Sequence, residues 1–124
     1  MTVLLLAVAG GAGAALRLLV DTAVRARWSG RLPLGTLVVN VSGSLLIGLV
    51  TGLVALAPDP EAWRVVLATG LCGGYTTFST AMVETVRLAE RGEVRTALAN
   101  VGLTLVTTLA AVAAGLGLAA LVLR

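Results

Sequence analysis

The densest group of polar residues able to handle an ion lies in one uncharged stretch, Gly73-Gly74-Tyr75-Thr76-Thr77-Phe78-Ser79-Thr80. Each glycine costs about 1 kcal/mol in a helix interior, and threonine hydroxyls compete with the helix for backbone groups. A break here frees carbonyls that suit a hard cation and amides that suit an anion. Two further polar lines run at i,i+4 spacing: Thr36, Asn40 and Ser44, and then Asn100, Thr104 and Thr108 with Thr107 beside them. None of these side chains is charged. What they offer is coordination and hydrogen bonding to an ion, not acid–base or nucleophilic chemistry. The competing reading is a continuous helix whose small residues serve packing and whose hydroxyls bond locally.

Composition narrows the chemistry further. There is no His and no Lys, and the single Cys, Cys72, lies inside an apolar run. Disulfide frameworks, Cys/His metal sites and Ser–His or Cys–His catalysis are therefore excluded within this chain. All nine cations are Arg. In a membrane chain they read as orientation signals and headgroup contacts rather than as a nucleic-acid surface.

The elements that must hold the polar residues are membrane helices. Of 124 residues, 58% are hydrophobic and 12% charged, about half the charge that keeps a soluble domain wet. Uncharged runs extend from Leu32 to Pro58, Val65 to Val83 and Thr96 to Leu123, and a fourth from Val3 to Val20 is broken only by Arg17. About 17 to 25 residues suffice to cross a bilayer. The expectation is one all-α membrane domain over 1–124, with four spans at about 3–24, 33–57, 63–86 and 95–123, the third broken near its middle. The N-terminus lacks the basic segment of a cleaved signal peptide, so the first span is expected to be retained. Small residues form packing faces, as Gly10-Gly11-Ala12-Gly13-Ala14-Ala15 in the first span and as a GxxxG frame, Gly48 and Gly52, in the second.

Four spans place both termini on one side, with only Arg64 and Arg124 as cations there. Arg25, Arg27, Arg31, Arg87, Arg91 and Arg95 lie on the other side, joined by Arg17 if it reaches outward. Taken alone, this bias predicts the first and third connections in the cytoplasm.

Three segments carry a family resemblance. Pro33-Leu34-Gly35-Thr36-Leu37-Val38-Val39-Asn40 with Ser42-Gly43-Ser44, and Gly70-Leu71-Cys72-Gly73-Gly74-Tyr75-Thr76-Thr77-Phe78-Ser79-Thr80, resemble the two signature segments of CrcB/Fluc fluoride channels. Gly10-Gly11 followed by Arg17 resembles that family's first-helix motif, and the likeness covers nearly the whole chain. It implies passive, selective export of F⁻ that lowers cytoplasmic fluoride. It implies a dimer of two oppositely oriented subunits, with two pores and a central structural Na⁺ that is not transported. By the same resemblance, the backbone carbonyls of Gly73 and Thr76 from both subunits hold that Na⁺. Asn40, Phe78, Ser79, Thr80, Glu84, Thr104 and Thr108 would line the pore, with Asn100 and Thr107 as looser candidates, and Arg17 would sit in a vestibule. The location implied is the inner, plasma membrane of a prokaryote, multi-pass, in contact with lipid.

Physical chemistry is consistent with these roles. Fluoride is small and strongly hydrated, so a selective pore must replace its water with donors, which Asn, Ser and Thr provide. Phe78, the only Phe in the chain, offers an electropositive ring edge. Alternatives stay open at three positions: core filling for Phe78, snorkelling for Arg17, and an interfacial pair with Arg87 for Glu84.

Two departures from the family pattern stand out. Ala81 occupies the position where the family usually repeats its pore Phe, and the Arg count differs sharply between the two sides. The second departure raises a pair of distinct, oppositely oriented subunits against a dual-topology dimer of identical chains. A small multidrug exporter would need a carboxylate within the first span for proton coupling, and Thr2 to Val20 contains none. A non-conducting scaffold subunit would need the small faces but not the Gly73–Thr80 block. An enzyme is not expected.

Overall fold

A computed structural model describes residues 1–55 and 65–122 of the chain. The Pro58-Asp59-Pro60-Glu61 turn, Arg64, Arg124 and the span ends at 56–57, 63–64 and 123 lie outside the described residues. Helix α1 covers Thr2–Arg25 and α2 covers Leu34–Ala55. A π-helical segment, Val66–Cys72, runs into the short α3, Gly73–Tyr75. Helix α4 covers Phe78–Glu90 and α5 covers Val94–Val122. Among the described residues, α1, α2 and α5 are long and apolar enough to cross a membrane, with mean hydropathy of 2.2, 2.1 and 2.2. Among the described residues the secondary structure is all-helical, and the helices are those of a multi-pass membrane protein.

Element boundaries follow local chemistry. Pro33, which has no N–H to leave unsatisfied, stands immediately before α2. In the turn after α4, Gly92 adopts φ 78, the left-handed conformation that glycine takes without a Cβ penalty. Its N–H reaches the Ala89 carbonyl at 3.0 Å, and the Glu93 N–H reaches that of Leu88 at 2.9 Å. This Schellman pattern caps α4 and turns the chain directly into α5.

Close backbone approach organises the packing, because lipid gives apolar side chains no reason to prefer each other over acyl chains. In the α2–α5 seam, Gly48 lies on the Val112 carbonyl and Gly115 on that of Leu45; a methyl group at either would collide with backbone. The GxxxG frame therefore faces α5. Helix α1 packs in the same manner along the π-helical segment and α3. A methyl at Gly13 would collide with the Leu71 carbonyl, and one at Gly74 with that of Gly10.

Within the Gly73–Thr80 block, helical and extended residues are separate. Gly73 and Gly74 are helical, with Gly73 at φ −64 and ψ −37. The extended residues come two positions later, at Thr76 (φ −74, ψ 158) and Thr77 (φ −150, ψ 120). The physical reason is that Gly74 is used for approach to α1, while the backbone of Thr77 is held by a side chain from α2.

Candidate functional site

That side chain is Asn40, buried on α2. Its Nδ2 donates to the Thr77 carbonyl and its Oδ1 accepts from the Thr77 N–H, both at 2.8 Å. The amide thus satisfies both backbone groups of an extended, buried residue that no helix serves. Thr77 in turn caps α4: its Oγ1 accepts from the Thr80 N–H at 3.3 Å and donates to the Thr80 Oγ1 at 3.0 Å. Before the break, the Thr76 Oγ1 donates to the Cys72 carbonyl at 3.0 Å, and the Tyr75 hydroxyl lies 2.9 Å from Ser42 Oγ on α2. Gly43 allows this approach, since a Cβ there would overlap Thr76 Cγ2.

The diverted N–H groups have a consequence for carbonyls. In a continuous α-helix the N–H groups of Thr77 and Thr80 would bond the carbonyls of Gly73 and Thr76. Here they go to Asn40 and to the Thr77 hydroxyl instead. The Gly73 and Thr76 carbonyls therefore lose their helical donors, and the flank of Gly73 is open, with nothing within 4 Å of where a Cβ would lie. The Thr76 carbonyl accepts from Arg17 Nη1 at 3.3 Å, which occupies one of its two lone pairs. Hard oxygen donors freed from helical bonding are the ligand type a hard cation needs. No cluster of three or more His, Cys, Asp or Glu exists among the described residues to offer another kind of metal site.

Two cavities adjoin this segment. One, of ≈ 300 Å³, is bordered by Arg17 and Asp21 of α1, Thr36 and Val39 of α2, and Thr77 and Thr80. The other, of ≈ 500 Å³, is bordered by Ser79, Thr80, Glu84, Arg87 and Arg91 on one wall and by Arg25, Trp28 and Arg31 on the other. Thr80 lies on both. Four Arg face the larger cavity against the single carboxylate of Glu84, so its field favours anions.

The structure brings Asn40, Ser79, Thr80, Glu84 and Arg17 to this region. Phe78 opens α4 with 78% of its surface exposed and borders neither cavity, so it does not fill the core of its own chain. Glu84 pairs with Arg25 on α1, Oε1 to Nη2 at 2.5 Å, rather than with Arg87, the partner its own helix suggested. The partner lies 59 positions away in sequence, at the C-terminal end of α1, and its guanidinium reaches across to α4. The α5 residues do not join the group. Thr107 Oγ1 donates to the Leu103 carbonyl at 2.5 Å and Thr108 Oγ1 to that of Thr104 at 2.6 Å. Hydroxyl protons spent on their own helix are not presented to an anion. Asn100, buried, donates to Thr85 Oγ1 at 2.8 Å and ties α5 to α4 beside the carbonyl of Ala81. Ala81 itself is 2% exposed, so its methyl is buried within the chain rather than displayed beside Phe78.

The residues that sequence reasoning passed over are Thr77, Arg25 and Asp21. Thr77 was marked by its position as a hydroxyl three residues before Thr80, an N-cap spacing. Asp21 and Arg25 were marked by their i,i+4 spacing, and both Asp21 oxygens lie 2.9 Å from Arg25 Nε.

Comparison with known proteins places these segments in context. Residues 4–116 match the family described as CrcB-like protein, Camphor Resistance (CrcB). The chain is 50% identical over 119 residues to fluoride-specific ion channel FluC 1 of Leifsonia xyli, covering 95% of this chain and 85% of that one. It is 46% identical over 124 residues to FluC 1 of Symbiobacterium thermophilum, covering 96% of each. It is 42% identical over 125 residues to the fluoride-specific ion channel FluC of Methylobacterium nodulans, covering 100% of this chain and 97% of the relative.

Proposed function

We propose that this chain, which belongs to the CrcB-like family of ion channels and is not an enzyme, conducts fluoride passively and selectively and so lowers cytoplasmic fluoride. The observation that carries this reading is the Asn40-anchored turn at Thr76–Thr77, which sets Ser79 and Thr80 on the wall of a cavity dominated by Arg. Hydroxyl and amide donors in a cationic field suit a small, strongly hydrated anion. Asn40, Phe78, Ser79, Thr80 and Glu84 line the proposed path, with Arg17 in its vestibule. Thr104 and Thr108 belong to the same proposed path, Thr108 only if its hydroxyl turns away from the Thr104 carbonyl.

The proposed assembly is a dimer of oppositely oriented subunits in the inner membrane, with two pores. Two observations support it. Phe78 is largely exposed in the single chain, and the Gly73 flank is open, so both have room to meet a second subunit. A structural Na⁺ held by the Gly73 and Thr76 carbonyls of both subunits belongs to the same proposal. The lost helical donors of those two carbonyls support it, and the ion would contribute a fixed positive charge at the dimer centre. The extended turn would then lie at mid-membrane, where irregular backbone is tolerated only within protein or a polar cavity. The uneven Arg distribution favours a second reading, in which the inverted partner is a different subunit.

Fluoride efflux from liposomes holding the purified protein tests the function, with chloride in place of fluoride and Na⁺-free buffer as controls. Selective F⁻ efflux is expected. Its absence for this chain alone, with efflux after a partner subunit is added, would select the second reading.

A further inference from the structure

Helix α1 presents Arg17, Asp21 and Arg25 at successive i,i+4 positions, a polar stripe along the face that meets the Thr76–Glu84 stretch. Its first two members border the smaller cavity and the third borders the larger. Arg25 bridges the two helices, reaching both Asp21 oxygens at 2.9 Å and Glu84 Oε1 at 2.5 Å. Glu84 is the less accessible partner, with its side chain 14% exposed against 53% for Arg25. Its second oxygen, Oε2, is buried without a hydrogen-bond partner. An ionised carboxylate with one oxygen unsatisfied depends on its cation, since burial penalises the charge and only the pairing offsets it.

Resting on the fluoride reading above, we infer that Arg25 is a positioning residue for conduction: it neutralises Glu84 at the cavity wall so that the carboxylate does not repel the permeating anion. Other charged groups around Glu84 do not substitute for it. On α1, Asp21 is itself a carboxylate shared by Arg25. In the α1–α2 connection, Arg31 lies 3.8 Å from Glu93. On α4, Arg87 and Arg91 border the same cavity, but no ion pair joins either to Glu84 among the described residues. From α2, the cavity wall is Leu34 and Gly35, which carry no charge. Removing the guanidinium would leave two carboxylates facing each other beside the path. The unpaired carboxylate would repel the anion at the cavity wall.

The test is fluoride flux from proteoliposomes at one fixed, near-neutral pH, with protein-free vesicles as the blank. The wild-type protein is measured first; no selective flux from it would sink the fluoride reading and is distinguishable from failure of this inference. For Arg25→Gln, flux should fall about tenfold, the lower end of what a cleft's charge does to local anion concentration. Arg25→Lys should restore flux, and so should Glu84→Gln added to Arg25→Gln. An Arg25→Gln protein with full flux, or a loss that neither Arg25→Lys nor the added Glu84→Gln reverses, would overturn the inference. A loss that Asp21→Asn reverses and Glu84→Gln does not would overturn the assignment to Glu84.

Discussion

Asn40 closes a two-bond ring on Thr77: one 2.8 Å hydrogen bond runs to the carbonyl and another, also 2.8 Å, comes from the N–H. A single amide thereby replaces the helical bonding that the extended backbone gives up, and it fixes where the helix restarts. Asn40→Ala leaves two buried backbone groups unpaired, each worth about 1–3 kcal/mol. The expected outcome is a lower unfolding temperature in detergent together with lost fluoride flux. A protein of unchanged stability would show that the ring does not hold the turn.

Gly73 and Gly74 are neighbours with opposite surroundings. A methyl at Gly74 would strike the Gly10 backbone, whereas nothing lies within 4 Å of a methyl at Gly73. Gly74→Ala should therefore destabilise the fold by about 1–3 kcal/mol through overpacking. Gly73→Ala should leave the fold of the single chain intact or improve it, since alanine favours a helix by about 1 kcal/mol. Thermal melts of the two variants check the contrast. Any loss of dimer on Gly73→Ala, read by crosslinking, would place that face at the subunit interface.

Phe78 is 78% exposed, so Phe78→Ile should change the stability of the chain by no more than about 0.5 kcal/mol, the usual range for surface substitutions. Fluoride efflux should nevertheless be abolished, because isoleucine has no electropositive ring edge. Undiminished efflux would remove this residue from the path.

Asn100 and Thr108 are expected to be structural. Asn100→Ala breaks the 2.8 Å bond to Thr85 and should cost about 1 kcal/mol. Thr108→Val removes a hydroxyl already given to the Thr104 carbonyl. Neither should alter the preference for fluoride over chloride. A selectivity change in Thr108→Val would return α5 to the path.

Arg asymmetry makes a prediction in cells. Accessible tags at the termini and in the Arg91–Glu93 turn should report one dominant orientation for the chain expressed alone if it pairs with a distinct subunit. A mixed orientation would instead favour a dimer of identical chains.

The sequence by itself determined that the chain is helical and membrane-embedded, because run length and charge depletion are properties of composition that need no partner. It also marked the Gly73–Thr80 block and Asn40 as polar residues requiring explanation in an apolar setting. It could not place the interruption within that block, since both the glycines and the threonines weaken a helix. Tertiary packing decided: α1 claimed Gly74 for close approach, and Asn40, 37 residues away, claimed the backbone of Thr77. In the same way, sequence offered Arg87 as the near partner of Glu84, while the fold supplied Arg25 from the end of α1. Local spacing reports which groups share a helix face. Which face meets which is fixed only when the helices pack, and the Asn40–Thr77 and Arg25–Glu84 pairings both join segments distant in sequence.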